Sequence, residues 1–358
     1  MSKVLILDCN DYNFVDGSIK KVFQEFPLDF SNKKVLVKPN MLNDYRPERA
    51  TVTHPAVIKA VVQYLLDAGA EVWVGDNPGV FGSRSNEKCA QSTGIAEASM
   101  GCYRNISKEG IPVKLKSRFV DELLVSREVM DADIMISLPK FKTHTLTQIT
   151  GAIKNSFGTL VGGEKTKMHA ITSSYKGFSE ALVDIYQIRV PDLVIMDGIL
   201  GMEGNGPSSG DIRHIGKIIA SDDGVAVDAA MTTMMGKKPQ KIYCLKVAEK
   251  RDIGDIDVSN MEIVGELNAI QDFEMPATFL CHMGGWAVNN RIFRFFMERR
   301  PFMLEGKCEG CGRCAKVCPA RAIKIVNKFP VIDRKACIEC YCCQELCPSD
   351  AVELRRRI

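Results

Sequence analysis

Hydrophobic positions along this 358-residue chain fall into short β-branched runs separated by longer stretches with helical spacing. The opening Met-Ser-Lys-Val-Leu-Ile-Leu-Asp8 reads as a strand whose apolar part is too short for a signal-peptide core. Lys34 to Lys38 reads as a second strand. Thr53-His54-Pro55 then opens a helix, with Thr53 as N-cap and Pro55 in the first turn, and apolar residues recur to Leu66 before Gly69 closes it. Glu71 to Asp76 is the next strand, so strand, helix, glycine, strand describes a βαβ unit with parallel pairing and a right-handed crossover. Further strands are predicted at Asp133 to Leu138, Asp192 to Asp197, Lys217 to Ala220 and Met261 to Val264. Helices are predicted near Lys176 to Arg189, Val225 to Met235 and Gln240 to Lys250. The fold class is α/β, an open and mostly parallel sheet over residues 1–300 whose sites should lie at the carboxyl ends of its strands. Residues 301–358 leave that rhythm and are expected to form a small α+β domain.

Composition narrows the class only a little. At 46% hydrophobic and 25% charged the chain is an ordinary soluble protein, and nowhere do eighteen apolar residues run together. With 47 basic against 44 acidic residues the net charge of +3 gives no case for nucleic acid, so any basic site must be local. Arg291 to Met303, where arginines alternate with bulky apolar residues, fits a packed connector better than a helix lying in a membrane interface, because it is short and Pro301 interrupts it.

Cysteine spacing is far more specific. Eight of the 14 cysteines form two copies of one run, Cys308-x2-Cys311-x2-Cys314-x3-Cys318-Pro319 and Cys337-x2-Cys340-x2-Cys343-x3-Cys347-Pro348. This is the ligand run of a bacterial two-cluster ferredoxin, in which the fourth cysteine of each run ligates the other cluster. Cys308, Cys311, Cys314 and Cys347 are therefore assigned to one 4Fe-4S cluster, and Cys337, Cys340, Cys343 and Cys318 to the second. The duplication continues past the ligands, Ala322-Ile323 matching Ala351-Val352 at an offset of 29 residues. Zinc sites show paired Cys-x2-Cys knuckles without the third cysteine and the Cys-Pro. Thiolate-ligated clusters suit the reducing cytoplasm, and Cys9, Cys89, Cys102, Cys244, Cys281 and Cys342 lack framework spacing. Cys342 is read as a non-ligand, and Cys281-His282 as a buried pair in preference to a metal site.

A second constellation follows the strand ending at Leu138. Lys140, Lys142 and His144 would share one side of an extended segment, and Lys165-x-Lys167-x-His169 repeats their order around Thr150-Gly151-Ala152-Ile153-Lys154-Asn155. Together these segments could set five lysines and two histidines around one cavity suited to a small polyanion, with histidine available for proton transfer. Lys140, Lys142, His144, Lys154 and His169 are the candidate catalytic residues. Lys38, Asn40, His54, Asp76, Asn155, Glu203 and Asn205, drawn from polar clusters at strand ends, are the candidate substrate-binding residues. Gly151, Gly158, Gly162 and Gly163 would let backbone approach a ligand. Solvated loop lysines are the plain alternative. Gly158 to Thr166 misses a P-loop because Glu164 separates glycine from lysine, and Gly204-x-Gly206-x3-Gly210 misses the dinucleotide fingerprint, so neither ATP nor a nicotinamide or flavin is expected.

Lys-Pro-Asn at 38–40, Thr-His-Pro at 53–55, Gly-Asp-Asn-Pro-Gly at 75–79, Lys-Phe-Lys-Thr-His at 140–144, Thr-Gly-Ala-Ile-Lys-Asn at 150–155 and Met-Glu-Gly-Asn-Gly-Pro at 202–207 resemble the domain-of-unknown-function family numbered 362. The resemblance spans roughly residues 3–290, and members often carry a C-terminal ferredoxin domain. It implies an anaerobe-type cytoplasmic iron-sulfur protein and supplies no established reaction. The expectation is thus a redox protein with two 4Fe-4S clusters, a redox partner protein and an anionic substrate in the α/β domain. The alternative is an electron carrier whose large domain docks partners or holds a ligand, or a metal on His54, His144 and His169.

Overall fold

The computed structural model describes residues 1–78, 83–172, 174–279 and 298–356. Gly79, Cys281-His282 and positions 291–297 of the expected connector lie outside them. The strands are β1 (Lys3–Asp8), β2 (Lys34–Pro39), β3 (Glu71–Val74), β4 (Gly110–Lys114), β5 (Glu122–Ser126), β6 (Ile134–Leu138), β7 (Lys140–His144), β8 (Gln148–Thr150), β9 (Leu193–Glu203), β10 (Asp211–Ser221) and β11 (Glu262–Val264). Four more follow nearer the C-terminus: β12 (Arg299–Met303), β13 (Ile323–Val326), β14 (Phe329–Ile332) and β15 (Val352–Arg356).

The main sheet runs β11-β1-β10-β9-β6-β2-β3, with β7 and β8 attached beyond β9. Its β9-β6-β2-β3 half is parallel, whereas β10 is antiparallel to both β9 and β1. Alternation along each strand builds a three-layer sandwich. Val35, Val37, Ile136 and Ile195 face the helices Val15–Glu25 and Pro55–Asp67, while Leu36, Met135, Val194 and Met196 face Tyr175–Ile188, Gly224–Met234 and Tyr243–Lys250.

Two details depart from the sequence reading. The helix at Pro55 is capped by His54, whose Nδ1 accepts from the Ala56 amide at 3.2 Å, and Thr53 instead donates to the Leu138 carbonyl and accepts from the Asn40 amide. Strand β9 also continues well past Asp197. Gly198 is not a turn: a Cβ there would sit 2.9 Å from the Lys217 carbonyl of β10, so glycine is needed for close strand approach.

In the C-terminal region β12 pairs with β15 and β13 with β14, both antiparallel, and a one-turn helix lies within each cysteine run, Arg313–Lys316 and Cys342–Glu345. The internal repeat is visible in the backbone. Gly310 and Glu339, Gly312 and Tyr341, and Arg321 and Asp350 all adopt positive φ, each pair 29 residues apart.

One buried ion pair anchors the sheet beneath the site. Lys140 donates to Asp197 at 2.7 Å and to the Tyr12 hydroxyl at 3.0 Å, with both members of the pair fully buried. Tyr12 stacks on His54 at 3.6 Å, and the His54 amide donates to Asp197. Desolvation pushes the Lys140 ammonium down from its ordinary range, and Asp197 opposes the shift. Lys140→Ala leaves the Asp197 carboxylate buried and unpaired, so urea denaturation should show a loss of about 3 kcal/mol. A loss within error of zero would remove Lys140 from this structural role.

Candidate functional site

The cavity of interest, about 70 Å³, lies at the carboxyl ends of β2, β3 and β7, where the large sheet meets the C-terminal region. Asn40 and Met41 reach it from beyond β2, Asp76 and Asn77 from beyond β3, Lys142 and His144 from β7, and Thr150 from β8. Lys154 and Asn155 come from the helix Ala152–Asn155, and Lys165 and His169 from the helix Glu164–Thr172. The C-terminal region closes it with Cys342, Glu345 and Leu346.

Both Lys-x-Lys-x-His segments therefore supply the cavity, by different geometry. In β7 the alternation of a strand points Lys142 and His144 inward. Lys140 is diverted into its pair with Asp197 across a register shift between Lys140 and Lys142. In the helix, Lys165 and His169 share a face at i,i+4, whereas Lys167 turns outward to Glu164. Of five lysines in the sequence constellation, three line the cavity with both histidines.

Burial sets the electrostatics. Desolvation lowers Lys142 to about 7, helped by the nearby Lys154 charge and opposed by Glu345, while its ammonium donates to the Thr51 carbonyl at 2.6 Å. Desolvation likewise lowers Lys165 to about 8. His169 is pushed down to about 3 and His144 well below its ordinary value, first by burial and then by the lysines. Near neutral pH both imidazoles are uncharged. Nδ1 of His144 accepts from the amides of Leu146 and Thr147, so the neutral ring carries its proton on Nε2, which has no hydrogen-bond partner among the described residues and stands 3.9 Å from Glu345. Thr150 Oγ1 and Asn40 Oδ1 are also buried without a partner among the described residues. Lys154 lies over the Phe157 ring at 5.4 Å.

The remaining sequence candidates frame the cavity or lie apart from it. Lys38 is buried in an ion pair with Asp76 at 2.7 Å and donates to Asn155 at 3.2 Å, bracing two wall residues from behind. Gly158 has room for no side chain because that pair lies against it, and Gly151 is pressed on Asp228, so these glycines admit buried carboxylates of the protein itself. His54 faces Tyr12 and Asp197 and does not join His144 and His169; among the described residues no three His, Cys, Asp or Glu groups are arranged to hold a single metal ion. Glu203 pairs with Arg213, and Asn205 accepts from the Ala277 amide. Their loop serves as a dock: the Asn205 carbonyl accepts from Gln344, and Ser208 donates to the Glu345 carbonyl. Asp228 and Glu345 escaped the sequence reading. Asp228, raised by burial to about 7, caps the segment carrying Lys154 by accepting from the Ala152 and Ile153 amides. Neither belongs to a motif.

The two cysteine runs lie close to one another in the C-terminal region. The thiols whose charge acts on Cys314 are Cys347, Cys311 and Cys308, and those acting on Cys337 are Cys340 and Cys318. A separate small cavity is lined by Cys318, Cys337, Cys340 and Cys343 together. All eight are free thiols. The amides of Ala322 and Ala351 donate to Cys318 and Cys347 at 3.2 and 3.3 Å, the bonds that stabilise sulfur ligands. The cavity lined by Cys318, Cys337, Cys340 and Cys343 is of a chemistry that suits an iron-sulfur cluster. Cys342 is aligned with neither quartet, yet it lines both the thiol-lined cavity and the lysine cavity.

Comparison with known proteins agrees. The profile of a domain of unknown function, DUF362, matches residues 35–233, and that of a 4Fe-4S dicluster domain matches residues 301–348. The chain belongs to the DUF362 family. A thylakoid-associated protein of Synechocystis sp. is 35% identical over 226 residues, 61% of this chain and 67% of that protein. A crystal structure from Thermotoga maritima shares 14% identity at a TM-score of 0.40, covering 65% of this chain, which spans 61% of that structure's length. The dicluster domain gives this DUF362 member a ferredoxin-like, iron-sulfur electron-transfer part. No helix among the described residues is long and apolar enough to cross a membrane.

An anion entering the cavity should hold the proton on Lys142. With the oxidised protein and nitrate, whose own charge does not vary with pH, calorimetric affinity is expected to fall up to about tenfold between pH 6 and 8 as that proton is lost. Lys142→Met should flatten the profile. An affinity independent of pH in the wild type would refute the charge assignment.

Proposed function

We propose that this protein uses two 4Fe-4S clusters, held by Cys308, Cys311, Cys314 and Cys347 and by Cys318, Cys337, Cys340 and Cys343, to deliver electrons to a small anion bound in the lysine cavity. The division into an α/β domain at 1–300 and a cluster domain at 301–358 belongs to the same proposal. The observation that carries it is the position of Cys342, which lines both the lysine cavity and the small cavity formed by Cys318, Cys337, Cys340 and Cys343. When bound, the clusters supply single electrons.

The chain's own residues would do the rest. Lys142, Lys154 and Lys165 neutralise the anion in surroundings where a charge interaction is stronger than in water. His144 offers its Nε2 proton as a hydrogen bond, and the Thr150 hydroxyl is a second free partner. Proton delivery passes to lysine. A neutral imidazole pushed far below its ordinary range is a poor source of protons near pH 7, whereas Lys142, at about 7, is matched to the task. Each electron accepted by the anion adds one negative charge, and one proton from Lys142, replaced from solvent, cancels it. The Met41, Leu42, Phe157 and Leu346 side chains supply an apolar part of the wall. A carrier that merely docked partners would have no use for buried polar atoms left without partners among the described residues in the wall of a cavity.

Anaerobically reconstituted protein should hold about eight iron and eight sulfide per chain. A small anion that raises its thermal midpoint should also reoxidise the dithionite-reduced clusters, followed by visible absorbance. Lys142→Met and His144→Gln are expected to slow that reoxidation by about 100-fold while iron content is unchanged. Equal rates in the variants, or no stabilising anion at all, would defeat the proposal.

A further inference from the structure

The two thiol quartets differ in what surrounds them. The second is turned inward, since the helix Cys342–Glu345 is pressed on the lysine cavity and its Glu345 carbonyl accepts from Ser208. The first opens outward: Cys311 is exposed, and the backbone of its loop at Gly310 and Gly312 abuts Lys328 and Ile325 of the β13-β14 hairpin. That hairpin shows water an apolar surface, with Ile325 41%, Val326 51% and Val331 50% exposed. From Cys308 to Val331 the chain has five basic residues and one acidic residue, Glu309. Lys316, Lys324 and Lys328 are exposed, and no ion pair is formed by them among the described residues. An apolar centre beside a ligand cysteine, rimmed by unpaired cations, is complementary to a protein with an acidic rim around its own redox group.

We infer that the Cys311 loop and the β13-β14 hairpin form the docking surface for an acidic one-electron carrier protein, so that electrons enter at the Cys308, Cys311, Cys314 and Cys347 quartet and leave by the Cys318, Cys337, Cys340 and Cys343 quartet. This rests on the cluster assignment proposed above. The transfer is a simple exchange, the carrier losing one electron and the protein gaining one, with no bond made or broken. Lysines on the rim steer the encounter, and Val326 and Val331 supply the apolar contact that holds the complex long enough for transfer.

The test uses full-length reconstituted protein and, as probe, a photoreduced acidic flavodoxin mixed with it in a stopped-flow instrument. The bimolecular rate for the wild type should fall about tenfold as salt rises from 20 to 200 mM, and the combined Lys316→Glu, Lys324→Glu and Lys328→Glu variant should be about tenfold slower at low salt. Val326→Ser with Val331→Ser should slow transfer while leaving the salt dependence intact. Dithionite, which needs no docking, should reduce wild type and variants alike. A charge-reversed variant that accepts electrons from flavodoxin at the wild-type rate overturns the surface while leaving the cluster reading standing. So does one that loses binding to phosphatidylglycerol vesicles without any change in the flavodoxin rate, since the patch would then face a membrane. Protein without iron, or inert to dithionite, overturns both.

Discussion

The rest of the structure depends on the docking of one short helix, Cys342–Glu345, against the carboxyl ends of the large sheet. It is held by hydrogen bonds: Thr145 to Gln344 at 3.3 Å, Gln344 to the Asn205 carbonyl at 3.0 Å, and Ser208 to the Glu345 carbonyl at 2.6 Å. Around them Tyr45 donates to the Cys347 carbonyl, and Arg49 pairs with Asp350. These bonds tie the second cysteine run, and Asp350 just beyond it, to the loops that leave the strand ends of the large sheet. Removing the contact would open the lysine cavity to water and raise the local dielectric. Lys142 and Lys165 would then relax toward ordinary solvated ammoniums, and the properties that distinguish the site would vanish.

That dependence explains why so many cations can share so small a space. Two ion pairs carry the structural load: Lys38 with Asp76 and Lys140 with Asp197 are both internally compensated. The lysines left facing the cavity are compensated only in part, by backbone carbonyls and by Glu345 from across the interface. Burial of an incompletely paired ammonium is unfavourable. The protein accepts that cost at one place and surrounds it with neutral imidazoles, which add donors without adding charge. An anion would relieve the imbalance. The same deficit that weakens the empty fold thus becomes binding energy for a ligand of opposite charge.

Much of this was legible in the sequence, for reasons that differ by element. The cysteine runs were clear because cluster ligation fixes both residue type and spacing, and the backbone repeats them even to the positive φ at Gly312 and Tyr341. The location of the cavity at strand ends was clear because parallel α/β sheets leave their loops there. Which lysine points inward was not, since that follows from a register shift after Lys140 and from helical phase at Lys165, neither of which leaves a mark in composition. His54 misled for a related reason: histidine before proline can serve as a helix cap as readily as a ligand. Glu203 and Asn205 sit in a motif that is polar because it binds another part of the same chain. Asp228 and Glu345 could be found only by folding the chain, each acting on residues far away in sequence.

A protein that moves electrons into an enclosed site meets a constraint that a surface carrier does not. Every electron delivered to a buried anion deepens its negative charge, and in a medium of low dielectric that charge is expensive unless a proton or a fixed cation accompanies it. In the function proposed above the two supplies come from different parts of the chain. The wall made by Cys342 adjoins a thiol quartet, and the wall made by β7 carries Lys142, held near 7 by burial and by Lys154. A lysine at its ordinary value would keep its proton, and one pushed much lower would have none to give. Burial sets most of that shift, Lys154 adds to it and Glu345 opposes it, so the C-terminal region, through Glu345, tunes a lysine on the large sheet.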